Sequence, residues 1–221
     1  MTNAVVQLLV LAAIAVFLII RLRNVLGTRD GFEAPRIPTE NEPPARVGGP
    51  ADDGRASAGD QDISDHAPAG SPTEKALRDM KAIEPAFSVN DFLNGAKGAY
   101  EMILTSFEKG DISQVRAFLA PPVADAFDGV IAGRNERGET VEAQFLGVRE
   151  TALQGAEFDP ATGEAQLAVR FVGEMISTTR DANGNVIEGD GKTAQKQRDL
   201  WTFARRMGQA DPNWQLVATG Y

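Results

Sequence analysis

The 221-residue sequence contains no cysteine, which excludes disulfide staples, thiolate metal sites and cysteine nucleophiles. Histidine occurs once, at His66, in a stretch rich in proline, glycine and aspartate. A His-dependent nucleophilic triad therefore has nothing ordered to be built from. Basic residues are scarce: 22 Lys and Arg against 31 Asp and Glu give a formal net charge of -9. Without a basic stripe the chain lacks the electrostatic footprint of a nucleic-acid binder. It equally lacks the bulk charge to bind anionic lipid, so any lipid contact has to be local. Long apolar runs are also missing, with one exception.

That exception is residues 4–20, an apolar run interrupted only by Gln7 and followed at once by Arg21 and Arg23. As a helix it is ~25 Å long, and Leu22, Val25 and Leu26 extend it toward the ~30 Å of a hydrocarbon core if the arginines snorkel. No Lys or Arg precedes the run and no small-residue cleavage site follows it, so it reads as an uncleaved anchor over 4–26 and not as a signal peptide. The positive flank predicts an N-terminus outside and the remaining chain in the cytoplasm. Residues 27–72 change character. Between positions 29 and 72 fall seven of the 12 prolines, together with Gly48, Gly49 and an acidic stretch around Asp52, Asp60, Asp62 and Asp65. Large apolar residues are nearly absent there, so the segment is expected to be a disordered linker.

Ordered structure is expected over 73–221. A short helix over 73–83 carries Leu77, Met80 and Ile83 among Lys75, Arg78 and Lys81. Such a helix either lies on a membrane with its cations at the headgroups or packs on its own domain. The strongest helical pattern, over 89–109, places Phe92, Ala96, Ala99, Tyr100, Ile103, Leu104 and Phe107 on one wide face. Gly110 ends it, Asp111 caps a short helix through Phe118, and Pro121-Pro122 opens another in which Val123, Phe127, Val130 and Ile131 point inward. After Gly138 the period becomes alternating. Strands are predicted over 140–148, 151–158, 165–178, 195–206 and 214–219, with turns at 159–163 and at Asn183-Gly184. Helices first and antiparallel strands afterwards define an α+β domain with helices on one face of a curved sheet. Alternation puts Trp201 and Phe203 on one strand face, and Leu167, Val169 and Phe171 on one face of a neighbouring strand. These five either line an apolar pocket or form an ordinary packed core.

Two chemical motifs fail on spacing. Asp181-x-Asn183-x-Asn185 starts like a calcium loop, but Val186 and Lys192 stand where glycine and glutamate are required. Gly191-Lys192-Thr193 resembles the end of a phosphate loop without its earlier glycine. General acid-base work would fall to Tyr100, Asp125 or Asp199, each equally readable as a surface or capping group. No cofactor or metal constellation is expected.

Several segments carry a family resemblance. Residues 87–101, from Phe87-Ser-Val-Asn to Gly-Ala-Tyr-Glu, are followed by Phe107-Glu-Lys-Gly-Asp111 and Arg134-Asn-Glu-Arg-Gly138. Then come Val169-Arg-Phe-Val-Gly-Glu174, Asp199-Leu-Trp-Thr-Phe-Ala-Arg205 and Asp211-Pro-Asn-Trp-Gln-Leu-Val-Ala-Thr219. In that order the chain resembles the Tim44-like domain family, and with its apolar run it is similar to the bacterial TimA-type homologues. The resemblance implies a cystatin-like or nuclear-transport-factor-like cone with an apolar cavity. It further implies a non-enzymatic adaptor or scaffold with protein partners, related to protein translocation or membrane-protein biogenesis. Contact with membrane lipid, cardiolipin included, would run through the first helix of the domain. The family's mitochondrial member recruits a chaperone through a long charged region that has no counterpart here, so chaperone recruitment is not implied. Combined with the anchor, the resemblance predicts a single-pass protein of a bacterial inner membrane. A lipid- or small-apolar-ligand module is the alternative, and a hydratase- or isomerase-like enzyme in the same cone is a third.

Overall fold

The computed structural model describes residues 58–220. The expected anchor over 4–26 and most of the expected linker lie outside these residues. Among the described residues no helix is long and apolar enough to cross a membrane. This corrects the placement as a single-pass inner-membrane protein, because the described fold supplies no spanning segment.

The fold begins earlier than the composition suggests. Helix α1 (Ala58–Ser64) lies inside the expected linker, and Ile63 and Ala67 are buried in the core. The cause is one aspartate. The Asp62 carboxylate accepts hydrogen bonds from the Val89 and Asn90 backbone N–H groups at 2.8 and 3.0 Å, and from the Asn90 amide at 2.8 Å. It satisfies donors that a helix N-terminus otherwise leaves orphaned. An acidic, proline-rich composition signals disorder only when its charges have no such partner.

Helix α2 (Pro72–Ile83) starts at an N-cap, Ser71, whose hydroxyl accepts from the Glu74 N–H, with proline at the first helical position. Helix α3 (Val89–Glu108) is capped in the same way by Ser88, through the Asp91 N–H. It is terminated at Gly110, whose φ of +75° is a conformation that side chains resist. The expected helix after Asp111 shrinks to a single 3-10 turn, Arg116–Phe118. Helix α4 (Pro121–Glu136) follows and packs near the last strand.

Five strands make one antiparallel sheet: β1 (Thr140–Asp159), β2 (Glu164–Arg180), β3 (Val186–Gly189), β4 (Gln195–Arg206) and β5 (Gln215–Gly220), in the order β1-β2-β4-β5 with β3 paired to β2. Helices α2 and α3 lie across β1. This confirms an α+β arrangement of helices on an antiparallel sheet. The two strands expected over 140–148 and 151–158 are one strand of 20 residues. Its register against β2 shifts three times, at Leu146, Arg149 and Gln154. Each extra residue flips the in-out alternation and bends the strand, so the pattern reads as two short elements. Strand β3 was not expected, since Val186 and Ile187 are exposed and carry no alternation. The Asn183-Gly184 turn is in place. The Asp181 carboxylate binds the Asn183 and Asn185 N–H groups of its own loop, which accounts for the calcium-like spacing.

Candidate functional site

Across the β2–β4 ladder Leu167 faces Phe203, Val169 faces Trp201 and Phe171 faces Asp199. All six side chains therefore lie on one sheet face, the face that α3 covers. Leu167, Val169 and Phe171 are fully buried, and Trp201 and Phe203 nearly so. The expected apolar face is real, yet most of it is not a pocket. Tyr100 fills it: its ring stacks on Phe171 at 4.4 Å between centroids, sits 4.7 Å from Trp201 and meets Phe145 edge-on. Gly173 makes room for it, since a Cβ there would stand 3.0 Å from the Tyr100 oxygen.

The same residue makes a buried polar contact. The Tyr100 hydroxyl donates to the Asp199 carboxylate at 2.5 Å, and both groups are buried. Burial pushes the Asp199 carboxyl above its ordinary value, with bonds from Tyr100 and Gln197 pulling it part of the way back. Burial first, and then the bond to Asp199, drives the Tyr100 hydroxyl well above its own. The pair joins α3 to β4 and lines no part of the groove described below. Of the three residues weighed for acid-base work the fold unites these two, whereas Asp125 sits exposed on α4.

The open site lies beside the filled one. A groove of about 370 Å³ runs between α3 and the β4–β5 end of the sheet. Its walls are Phe92, Trp214 and Phe87, with Phe92–Trp214 centroids 4.8 Å apart and Phe87–Trp214 6.1 Å apart. Phe203 at its base meets Phe92 edge-on at 5.9 Å. The helix side is Gly95, Ala96 and Ala99, too small to fill the space, with half-exposed Met102 at the rim. Of the five residues proposed for an apolar pocket only Phe203 lines this groove. Position along the strand explains part of the shift, because Phe171 and Trp201 pack against Tyr100. Sequence reading missed Phe92, Trp214 and Phe118 as site residues. The one available signal was Trp214 in Asp211-Pro-Asn-Trp214, a tryptophan beside a polar turn.

At one end of the groove stands Arg205. Its guanidinium lies 5.3 Å from the centre of the Trp214 ring and bonds Glu84 through Nη2 at 2.5 Å. That bond, together with the Gly208 N–H, holds the Glu84 carboxyl below its ordinary value against the opposing effect of burial. The Arg205 side chain is only 7% exposed, and its Nε is buried without an acceptor. Such an atom has lost its water and gained nothing in exchange.

The membrane-contact face expected on α2 is not presented. Leu77 and Met80 are 0% exposed and belong to the core, which leaves only Ile83 outside. The three cations are committed within the fold: Lys75 to Asp79, Arg78 to Asp60 and Glu74, Lys81 to Asp62. Amphipathicity tells that a helix has an apolar side, and here that side faces the protein's own sheet.

The described residues form a small α+β domain with helices packed on an antiparallel sheet and a groove beside them. Residues 73–220 match the Tim44-like domain family, and the chain belongs to it. Among curated proteins, the chain is similar to GTPase Der of Mycobacterium tuberculosis (strain ATCC 25177 / H37Ra) and of Mycobacterium bovis (strain BCG / Pasteur 1173P2). Each is 28% identical over 138 residues, covering 59% of this chain and 29% of the relative. The chain thus spans under a third of the length of these curated relatives. Among solved structures, the intermembrane space region of the chloroplast protein ARC6 aligns with a TM-score of 0.41 and 8% identity, over 58% of this chain and 94% of that one.

Proposed function

We propose that this Tim44-like domain is a non-enzymatic adaptor that binds a partner protein. The observation that carries the reading is the open groove. Trp214 stays half-exposed over the buried rings of Phe87 and Phe92, at a place where the adjoining stretch of the same sheet is sealed by a tyrosine. Exposed aromatic surface of this kind costs solubility and is kept where something binds it. The buried Tyr100–Asp199 pair supports a non-catalytic role, since no substrate reaches it in this arrangement. Nucleotide chemistry is not carried over from the curated relatives. The sequence contains no Gly-x-x-x-x-Gly-Lys-[Ser/Thr] run with which to cradle phosphates.

Photo-crosslinking in intact cells tests the adaptor reading. A crosslinking amino acid is placed at exposed positions around the domain, among them Met102, Val130, Leu146 and Ile187. A discrete protein adduct at one or more positions is the expected result. Silence at all of them overturns the reading. A small-apolar-ligand module is the second reading, favoured by the volume of the groove. Native mass spectrometry of gently extracted protein tests it, and a mass equal to that of the bare chain removes it.

A further inference from the structure

The groove does not end at Arg205. A second, polar trough of about 500 Å³ shares Phe118, Arg205 and Asn213 with it and continues along Arg206, Gln209 and Gln215. We infer that the two form one cleft that takes a peptide segment in which large apolar side chains stand next to a carboxylate. This inference rests on the adaptor reading and names what the adaptor recognises.

Charge and lining choose the occupant. In the apolar half, half-exposed Trp214 offers a face to large side chains, and Gly95 and Ala99 leave space for them. In the polar trough Arg205 and Arg206 stand against one acid, Asp211, whereas Glu84 and Asp91 line the apolar half. Glu84 is bound by Arg205 and Gly208, and Asp211 accepts from the backbone and amide of Asn213 in its own turn. Asp91 lies at the far end, in the first turn of α3. The cations are not spent to the same degree. Arg206 is exposed and has no ion pair among the described residues, and Arg205 keeps a buried Nε with no acceptor. A carboxylate at this junction lets the Arg205 fork reorient and supplies what Nε lacks. An acyl chain would desolvate the Gln209, Asn213 and Gln215 amides for no return, whereas a peptide's own N–H and C=O groups pair with them. The occupant is therefore a peptide and not a lipid tail.

Two glycines make the inference testable without unfolding the domain. Gly95 and Gly98 both lie within α3, and a Cβ on either meets nothing within 4 Å. Only Gly95 lines the cleft. Tryptophan has a better helix propensity than glycine, so Gly95→Trp blocks the groove while Gly98→Trp is the matched control. A phage library of random peptides is panned against the full chain, with the Gly95→Trp chain as counter-selection. Enriched peptides are expected to combine Leu, Phe or Trp with a neighbouring Asp or Glu. They should bind the Gly98→Trp chain as they bind wild type, and lose ~tenfold or more on Gly95→Trp. Arg206→Glu should abolish the preference for acid and leave the apolar requirement intact. Enrichment of basic or purely polar peptides, or binding indifferent to Gly95→Trp, overturns the inference. So does displacement of no peptide by excess of its own unlabelled copy, or palmitate binding in their place. Cellular crosslinks at Ile187 with no cleft-dependent peptide would leave the adaptor standing and remove this cleft as its site.

Discussion

Helix α3 carries two adjacent stripes, one turned into the core and one bordering the groove. One stripe runs through Phe92, Ala96, Tyr100 and Ile103, all buried. The other runs through Asp91, Gly95, Ala99 and Met102 and borders the open groove. Beneath both lies the same aromatic sheet face. Where Tyr100 stands, the face is closed and a polar pair is sealed inside it. Where Gly95 and Ala99 stand, Trp214 stays half-exposed. A single helix therefore supplies a core and a binding surface, and the volume of a few side chains divides them.

The comparison is broken most severely by emptying the closed half. Tyr100→Ala removes a fully buried ring and strands the Asp199 carboxylate, at an expected cost of about 3–5 kcal/mol. Tyr100→Phe keeps the ring and loses only the bond, costing about 1–3 kcal/mol. Urea denaturation of the two variants checks the order, and equal losses would show that the hydroxyl contributes nothing. On the open side Trp214→Ala should cost less, about 2 kcal/mol, because this ring is only half-buried and its contacts are one-sided. A loss as large as that of Tyr100→Ala would mean that the groove wall is core after all.

A pH series sharpens the contrast between two buried aspartates. The raised value of Asp199 means that the native state holds its proton to higher pH than the unfolded chain, whose carboxyl titrates near 3.8. Its contribution to stability is complete below that value and is lost as pH rises through the folded one. Asp62 has the opposite sign. Burial raises its carboxyl, but the Val89 and Asn90 hydrogen bonds and Lys81 outweigh this and leave it lowered. Its contribution is present above the unfolded value and is lost as pH falls through the folded one. Denaturation midpoints from about pH 3 to pH 7 should lose the first slope in Asp199→Asn and the second in Asp62→Asn. The same slopes in wild type and variants would exclude both assignments. The smallest effect is a gain. Gly98→Ala adds a Cβ in open space within a helix and should stabilise by about 0.5–1 kcal/mol, read as a rise in midpoint.

Much of the architecture was legible in local pattern. The helical period over 89–109, the glycine stop at Gly110 and the inward alternation of Leu167, Val169 and Phe171 are short-range signals, and each element lies where those signals put it. Bulges were not legible, because an inserted residue such as Leu146 breaks the very alternation by which a strand is recognised. Nor was α1, whose stability comes from a carboxylate reaching 27 residues along the chain to Val89.

The binding site divides in the same way. Sequence alone determined that an aromatic sheet face exists and that the chain has no thiol chemistry. Tertiary structure decided which part of that face is covered, because covering depends on how far a side chain reaches across a helix–sheet gap. It also decided that Leu77 and Met80 point into the core and that Tyr100 and Asp199 meet across 99 residues of chain. Periodicity gives a residue its side of a helix. Only packing gives it a neighbour.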